Sequence, residues 1–128
     1  MRALIVDDSR FIRQFARQLL ESMGVTCEEA VDGQQALETL RGAEAFDYML
    51  VDVNMPVMNG LQCVKALREE GLQVAMKVMM VTTEADNSFI EQALEYGADE
   101  FLMKPFTAES LRQKLMMLGL GGVMDANS

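Results

Sequence analysis

Polar side chains that could do chemistry follow several apolar stretches of the chain, at points where buried strands are expected to end. They are Asp7, Asp8, Asp52, Thr82 and Lys104. The stretch 48–60 is the centre of this pattern, because Asp52 ends an apolar run shortly before Pro56 interrupts the extended backbone. In open parallel sheets, ligands bind just beyond the carboxyl ends of the strands. We therefore expect three carboxylates, one hydroxyl and one ammonium to converge on a single site.

Three carboxylates in one pocket repel one another, so the site needs a counter-charge. At about 5 Å and an effective dielectric of about 20, each pair costs roughly 3 kcal/mol. A hard divalent cation relieves this repulsion, and all-oxygen ligation favours Mg²⁺, Mn²⁺ or Ca²⁺. A phosphoryl group on Asp52 suits such a site, because its oxygens could accept from the Lys104 ammonium and the Thr82 hydroxyl while also binding the metal.

The elements that position these residues follow from the apolar pattern, in which strand-like runs and amphipathic helices alternate five times. The expected strands are 3–6, 25–30, 48–52, 78–82 and 101–103. This alternation predicts an α/β fold, a doubly wound (βα)5 sheet of five parallel strands with helices on both faces. Right-handed crossovers place all five carboxyl ends along one edge of the sheet.

Four of the predicted helices follow a residue that can cap them: Ser9, Asp32, Asn59 and Thr107. Asp32 with Gln35, and Asn59 with Gln62, resemble capping boxes. The first helix carries apolar residues at the spacing of one helical face: Phe11, Ile12, Phe15, Ala16, Leu19, Leu20 and Met23.

Composition excludes several classes of function. The 128 residues suit one domain with a real core, and a net charge of −9 disfavours direct binding to nucleic acid. The chain has no histidine, which excludes a Ser-His-Asp triad and His-ligated metal. Cys27 and Cys63 are isolated and are interpreted as reduced core thiols. Neither a signal peptide nor a bilayer-spanning run is found, so the expected location is the cytoplasm, without a membrane partner.

Taken together, these motifs resemble the receiver domains of two-component response regulators, above all the small stand-alone chemotaxis type. The resemblance runs from about residue 1 to residue 118. It rests on Leu4-Ile5-Val6-Asp7-Asp8-Ser9, on Val51-Asp52-Val53-Asn54-Met55-Pro56 with Met58-Asn59-Gly60, on Val81-Thr82-Thr83-Glu84-Ala85, and on Gly97-Ala98 before Phe101 and Lys104-Pro105-Phe106. It implies the flavodoxin-like strand order 2-1-3-4-5.

The resemblance also implies the roles of the acidic residues. Asp52 would be the phosphoacceptor, taking a phosphoryl group from a phosphohistidine on a partner histidine kinase or phosphotransfer protein. Asp8, the Asp52 carboxylate and the backbone carbonyl of Asn54 would bind Mg²⁺ directly, and Asp7 would hold it through water. A chain of this kind is a phosphoacceptor that assists its own phosphorylation and dephosphorylation, rather than an enzyme.

The remaining roles concern the switch that follows phosphorylation. Lys104 would contact the phosphoryl oxygens, Thr82 would move toward them, and Phe101 would turn inward behind Thr82. The peptide bond before Pro105 is expected to be cis. The surface formed by the last two helices and the fifth strand would then bind a downstream target protein. Because Phe101 lacks the hydroxyl of the tyrosine often found there, the switch would act by packing alone.

Three positions beside the site, Asn54, Thr83 and Glu84, are those at which the family tunes dephosphorylation. Thr83 is larger than the residue the family often has, so it could narrow access to the phosphoryl group and slow its loss. Asn54 and Glu84 match the stand-alone chemotaxis type.

Some alternatives remain open at this point. The receiver domain is assigned to residues 1–118 and a flexible tail to residues 119–128, but the chain could also be the receiver half of a longer regulator with an output domain. An aspartyl-phosphate phosphohydrolase of the dehalogenase type is disfavoured, because that family has an Asp-x-Asp pair where Asp7 and Asp8 are adjacent. A flavodoxin is disfavoured by the missing hydroxyl-rich phosphate loop. A monomer is the default oligomeric state.

Overall fold

The predicted alternation of strands and helices is confirmed by the computed structural model, which describes residues 1–42, 44–83 and 87–119. The elements are β1 (Arg2–Val6), α1 (Arg10–Ser22), β2 (Thr26–Ala30), α2 (Gly33–Leu40), β3 (Tyr48–Asp52), α3 (Gly60–Glu69), β4 (Lys77–Thr82), α4 (Asn87–Tyr96), β5 (Glu100–Met103) and α5 (Ala108–Met117). Each strand begins within one residue of its predicted start and ends at its predicted end.

All strand pairs are parallel, and the sheet has the order β2-β1-β3-β4-β5. The predicted fold class and strand order are therefore confirmed. The central strand β3 is buried along its whole length, which explains why it reads as a continuous apolar run rather than an alternating one. At the edge, β2 contains both buried and accessible residues.

Successive side chains of each strand enter two different cores, because a strand presents alternate residues to opposite faces. Met49 and Val51 of β3 pack with α2, α3 and α4 on one face of the sheet. Tyr48 and Leu50 pack with α1 and α5 on the other face. This double burial fixes the register of β3, and so fixes where Asp52 emerges at the end of the strand.

The four predicted helix caps are confirmed, since each side chain accepts a backbone N–H of the first turn. Asn59 and Gln62 form the reciprocal capping box. The box predicted at Asp32 is only half formed. Asp32 accepts from the Gln35 amide, but the Gln35 side chain accepts from the Val31 amide instead of the Asp32 amide.

The apolar face predicted for α1 from its spacing is buried in part. Ala16 and Leu20 are buried, whereas Phe11 is 75% exposed. Phe11 lies in the first turn of α1, and its ring lines a cavity with Phe15 and Phe106.

Cys27 and Cys63 are both buried and free, as predicted. Burial raises the pKa of the Cys27 thiol to about 11 and that of Cys63 to about 12, so both stay protonated at neutral pH.

The predicted domain limits, 1–118, stay a prediction. The predicted tail lies outside the described residues beyond Gly119. Within the described residues, no helix combines the length and hydropathy that crossing a bilayer requires.

Candidate functional site

Asp52 is placed by the end of β3 and by the loop that folds back over it. The Gly60 amide donates to the Val53 carbonyl at 2.9 Å, which brings the start of α3 against the strand end. A Cβ at position 60 would lie 2.3 Å from the Asp52 carbonyl oxygen. Only glycine permits this close approach, so Gly60 is part of what positions the site.

Inside the same loop, Val57 adopts a φ of 69°. The Met58 amide donates to the Pro56 carbonyl at 2.7 Å, which closes a tight turn around Val57. A β-branched residue at positive φ is strained. The turn is held from outside by the Gly33 amide, which donates to the Met58 carbonyl at 3.1 Å.

The three predicted carboxylates come together. Asp7, Asp8 and Asp52 each offer an oxygen within 4.8 Å of the others. Asp7 is 3% exposed and Asp52 6% exposed, while Asp8 is open to solvent. The Asp7 carboxylate accepts the Ser9 amide through Oδ1 at 2.8 Å.

Lys104 reaches the cluster from the end of β5. Its Nζ lies 2.9 Å from Asp7 Oδ2 and 3.2 Å from Asp52 Oδ1. Its backbone amide donates to the Thr82 carbonyl at 2.8 Å, which ties the ends of β4 and β5 together. The predicted cis peptide between Lys104 and Pro105 is confirmed.

The electrostatics of the cluster follow from burial and from these charges. Burial raises the pKa of Asp52, and the Asp7 charge adds to the increase; together they outweigh the contacts with Lys104. Burial alone would lower the pKa of Lys104, but the hydrogen bonds and charges of Asp7 and Asp52 raise it overall. Lys104 is therefore charged at neutral pH. The ionised form of Asp52 is destabilised by burial and by the Asp7 charge.

The donor set fits a hard divalent cation. Three carboxylates meet a single ammonium in the described part of the chain, so the cluster carries an excess of negative charge. The two buried carboxylates are poorly hydrated, and oxygen ligands are those that Mg²⁺ prefers.

The residues predicted to switch or to tune the site lie around it. Thr82 ends β4 and is 1% exposed. Phe101 is partly buried and meets the Phe89 ring edge-on, with centroids 6.1 Å apart. Asn54 and Thr83 are exposed. Glu84 lies outside the described residues.

An apolar cavity of about 400 Å³ adjoins the site. Its lining consists of Phe11, Ile12, Phe15, Thr83, Lys104, Pro105 and Phe106. Thr83 and Lys104 are the polar residues of this lining, and Lys104 also contacts Asp52. The exposed ring of Phe11 therefore covers a cavity beside the cluster instead of entering the core.

Sequence reasoning missed Arg13, whose Nη1 donates to the backbone carbonyl of Asp7 at 2.7 Å. A charged residue on α1 looks like ordinary solvated surface. The available signal was weak: an arginine in the first turn of the helix, and Glu29 on the edge strand that pairs with β1.

The fold and the site together define a class of protein. The molecule is a doubly wound parallel α/β protein with an acidic, lysine-containing site at the carboxyl edge of its sheet. Residues 3–116 match the family described as the response regulator receiver domain. The chain belongs to this family, and it is a CheY-like domain of two-component signalling.

Relatives and solved structures agree with this assignment. The chain is 38% identical over 116 residues to the chemotaxis protein CheY of Pseudomonas aeruginosa, covering 90% of this chain and 93% of that protein. It matches the structure of CheY4 of Vibrio cholerae with a TM-score of 0.82 at 38% identity, covering 92% and 95% of the two chains.

A complex of CheX, CheY, BeF3 and Mg²⁺ from Borrelia burgdorferi contains a chain that matches with a TM-score of 0.86. That match is at 26% identity and covers 93% of this chain and 89% of the other.

Proposed function

We propose that this chain accepts a phosphoryl group on Asp52 from a phosphohistidine of a partner kinase, and that it then binds a target protein. The observation that carries the proposal is the buried Asp52 carboxylate, 3.2 Å from the Lys104 ammonium and within 4.8 Å of two further carboxylates. Burial and charge together hold Asp52 in an environment that a metal and a phosphoryl group would relieve.

In the transfer step, a carboxylate oxygen of Asp52 forms a bond to phosphorus while the bond from phosphorus to the donor imidazole nitrogen breaks. The imidazole leaves with the electron pair and is protonated in turn. Lys104 shifts its ammonium toward the phosphoryl oxygens, where negative charge accumulates. Thr82 supplies a hydroxyl from the end of β4. The chain is thus a phosphoacceptor and not an enzyme with an external substrate.

The metal that fits the site is Mg²⁺, which Asp8, Asp52 and the Asn54 carbonyl would hold directly and Asp7 would hold through water. When bound, it neutralises charge on the carboxylates and on the transferred group. The division of roles is supported by the hydrogen bonds: both oxygens of Asp7 already accept, from the Ser9 amide and Lys104. The presence of BeF3 and Mg²⁺ in the Borrelia complex agrees with this assignment.

Phosphorylation adds about −1.5 to −2 charges at this edge of the sheet. In that state the Thr82 hydroxyl moves to donate to the phosphoryl group, and its movement leaves space for Phe101. The resulting change reaches the surface formed by α4, β5 and α5, which binds the downstream target. The partners are proteins, as CheX is for the Borrelia CheY, and the pathway is chemotaxis in the cytoplasm.

The test of the phosphoacceptor uses acetyl phosphate or beryllium fluoride with Mg²⁺. The wild-type protein should be modified or occupied, and Asp52→Asn should not. Equal phosphorylation of the Asn variant would end the assignment. Lys104→Arg keeps the charge on a longer, planar group, so we expect phosphorylation without the full conformational response. A complete response in that variant would show that Lys104 is not a specific phosphoryl contact.

Thr83 tunes the lifetime of the phosphoryl group, with Asn54 and Glu84. Its exposed position on the lining of the cavity, beside Lys104, supports a role in access. Thr83→Ala should speed phosphoryl loss, measured by the decay of phosphorylated protein after removal of the donor. An unchanged decay rate would contradict this role.

A further inference from the structure

Arg13 joins three elements at the site edge of the sheet. It lies on α1, and its side chain is only 12% exposed. Nη1 donates to the Asp7 carbonyl at 2.7 Å, and Nε donates to Glu29 Oε1 on β2 at 3.0 Å. A single planar guanidinium therefore bridges the edge strand and the backbone just beyond β1.

The carbonyl that Arg13 holds belongs to the peptide between Asp7 and Asp8. Because a peptide unit is planar, its orientation helps to set the direction of both flanking side chains. The Asp7 amide, on the other side of the residue, donates to the Ala30 carbonyl at 3.2 Å. The Asp7 carboxylate has partners of its own. By contrast, the exposed Asp8 carboxylate accepts no hydrogen bond from any residue that the structure describes.

Glu29 holds the Arg13 guanidinium in place. Its second oxygen accepts Arg17 Nη1 at 2.7 Å. Burial would raise the pKa of Glu29, but the hydrogen bonds from Arg17 and Arg13 outweigh burial and lower it. The Glu29 carboxylate therefore stays ionised at neutral pH, and both of its oxygens accept from arginines.

We propose that Arg13 is a positioning residue for the divalent cation, because it fixes the peptide that aims the Asp8 carboxylate into the cluster. This inference rests on the proposed function, in which Asp8 and Asp52 hold Mg²⁺. Residues that orient metal ligands from outside the coordination sphere typically change affinity by about 10- to 100-fold when they are replaced. We expect a loss of about tenfold for Arg13.

The sign of the effect separates positioning from simple electrostatics. Replacing an arginine by methionine removes a positive charge near a cation site, which by charge alone would tighten Mg²⁺ binding. Positioning predicts the opposite. Arg17→Met is the matched control, since Arg17 loses the same charge and the same partner, Glu29, but has no bond to the Asp7 carbonyl.

The experiment is calorimetric titration of Mg²⁺ alone into metal-free wild type, Arg13→Met, Arg13→Lys and Arg17→Met, with thermal unfolding in chelator as a separate measure of stability. Both Arg13 variants should bind about tenfold more weakly, since lysine cannot fork between the two acceptors. Arg17→Met should stay within about twofold of wild type or tighten slightly.

Binding by both Arg13 variants within twofold of wild type would overturn the inference, whatever their melting temperatures. So would an equal loss in Arg17→Met, because that result would assign the effect to the Glu29 network in general. A wild-type protein that shows no Mg²⁺ binding at all would instead refute the metal site of the proposed function, and the inference with it.

Discussion

Replacing Asp52 by asparagine should stabilise the metal-free protein. Asp52 is buried and ionised beside Asp7 and Asp8, and burial with these charges raises its pKa above the ordinary value of 3.8. Asparagine has nearly the same shape but no charge to desolvate. The substitution that we expect to abolish phosphorylation should therefore increase the free energy of unfolding.

The magnitude follows from the distances. The Asp7 and Asp52 oxygens lie within 4.8 Å of each other, so at an effective dielectric of about 20 their repulsion is at least about 3.5 kcal/mol. The exposed Asp8 is screened by solvent and adds about 1–2 kcal/mol. The attraction between Asp52 and Lys104, whose charged atoms lie 3.2 Å apart, stabilises the ionised carboxylate by about 5 kcal/mol. These charge interactions nearly cancel, so the burial penalty remains. We expect a gain of about 1–2 kcal/mol, or about 4–8 °C in melting temperature for a chain of this size.

The pH dependence has a definite sign. Because the folded state holds the Asp52 proton to a higher pH than the unfolded state, folded wild type binds more protons between pH 3.8 and the raised pKa. Stability therefore falls as pH rises through that window, and the loss persists at neutral pH. Asp52→Asn lacks this contribution, so its advantage should shrink toward pH 3.8 and below.

Magnesium should reverse the order of stability. A ligand that binds only the folded state adds about 2.7 kcal/mol when present at 100 times its dissociation constant. Wild type should gain this, whereas Asp52→Asn has lost a ligand and should gain much less. Asp47→Asn is the control, since it makes the same charge change at the opposite edge of the sheet, where Asp47 accepts the Arg2 amide.

The assay is thermal or urea unfolding with chelator and with Mg²⁺. If Asp52→Asn melts at or below wild type in chelator, the uncompensated burial inferred for Asp52 is wrong. If Asp47→Asn shows the same gain, the effect belongs to net charge rather than to the site.

Three further substitutions test the packing around the site by urea unfolding. Val57→Asn should stabilise the protein by about 1 kcal/mol, because asparagine tolerates positive φ, whereas Val74→Asn, equally exposed at ordinary φ, should change it by less than about 0.5 kcal/mol. Tyr48→Phe should gain about 1 kcal/mol, since the buried Tyr48 hydroxyl has no hydrogen-bond partner among the described residues. Phe11→Ala should cost less than about 0.5 kcal/mol, against about 2–5 kcal/mol for the buried Leu20→Ala.

The convergence of the site could be predicted from sequence because it depends only on topology. Once the runs ending at Val6, Asp52 and Thr82 are assigned to one parallel sheet, their carboxyl ends must share an edge. No side-chain geometry is needed for that step. The cis bond before Pro105 and the strand order required the family resemblance, because neither follows from hydrophobic periodicity.

Hydrophobic periodicity identifies the apolar face of a helix, but it does not show how much of that face the rest of the protein buries. The spacing of Phe11 matches that of Leu20, yet one is exposed and the other buried. Leu20 packs in the core between α1 and the sheet, whereas Phe11 lines a cavity, and this difference is a tertiary property. Gln35 shows the same limit on a local scale. The capping-box pattern correctly predicted that the Gln35 amide donates to Asp32, but not that the Gln35 side chain accepts from the Val31 amide.

Lys104 is the residue through which a change at Asp52 would reach the rest of the molecule. Its ammonium bridges Asp7 and Asp52, and its backbone amide is bonded to the Thr82 carbonyl. In the proposed function, a phosphoryl group on Asp52 would compete for the same ammonium, and the existing contacts of Lys104 would then change. Lys104 directly follows β5, and Thr82 ends β4. A change in the contacts of Lys104 would therefore act on the adjacent ends of these two strands. The shift in conformation can be no larger than the difference in contact energy between the two states.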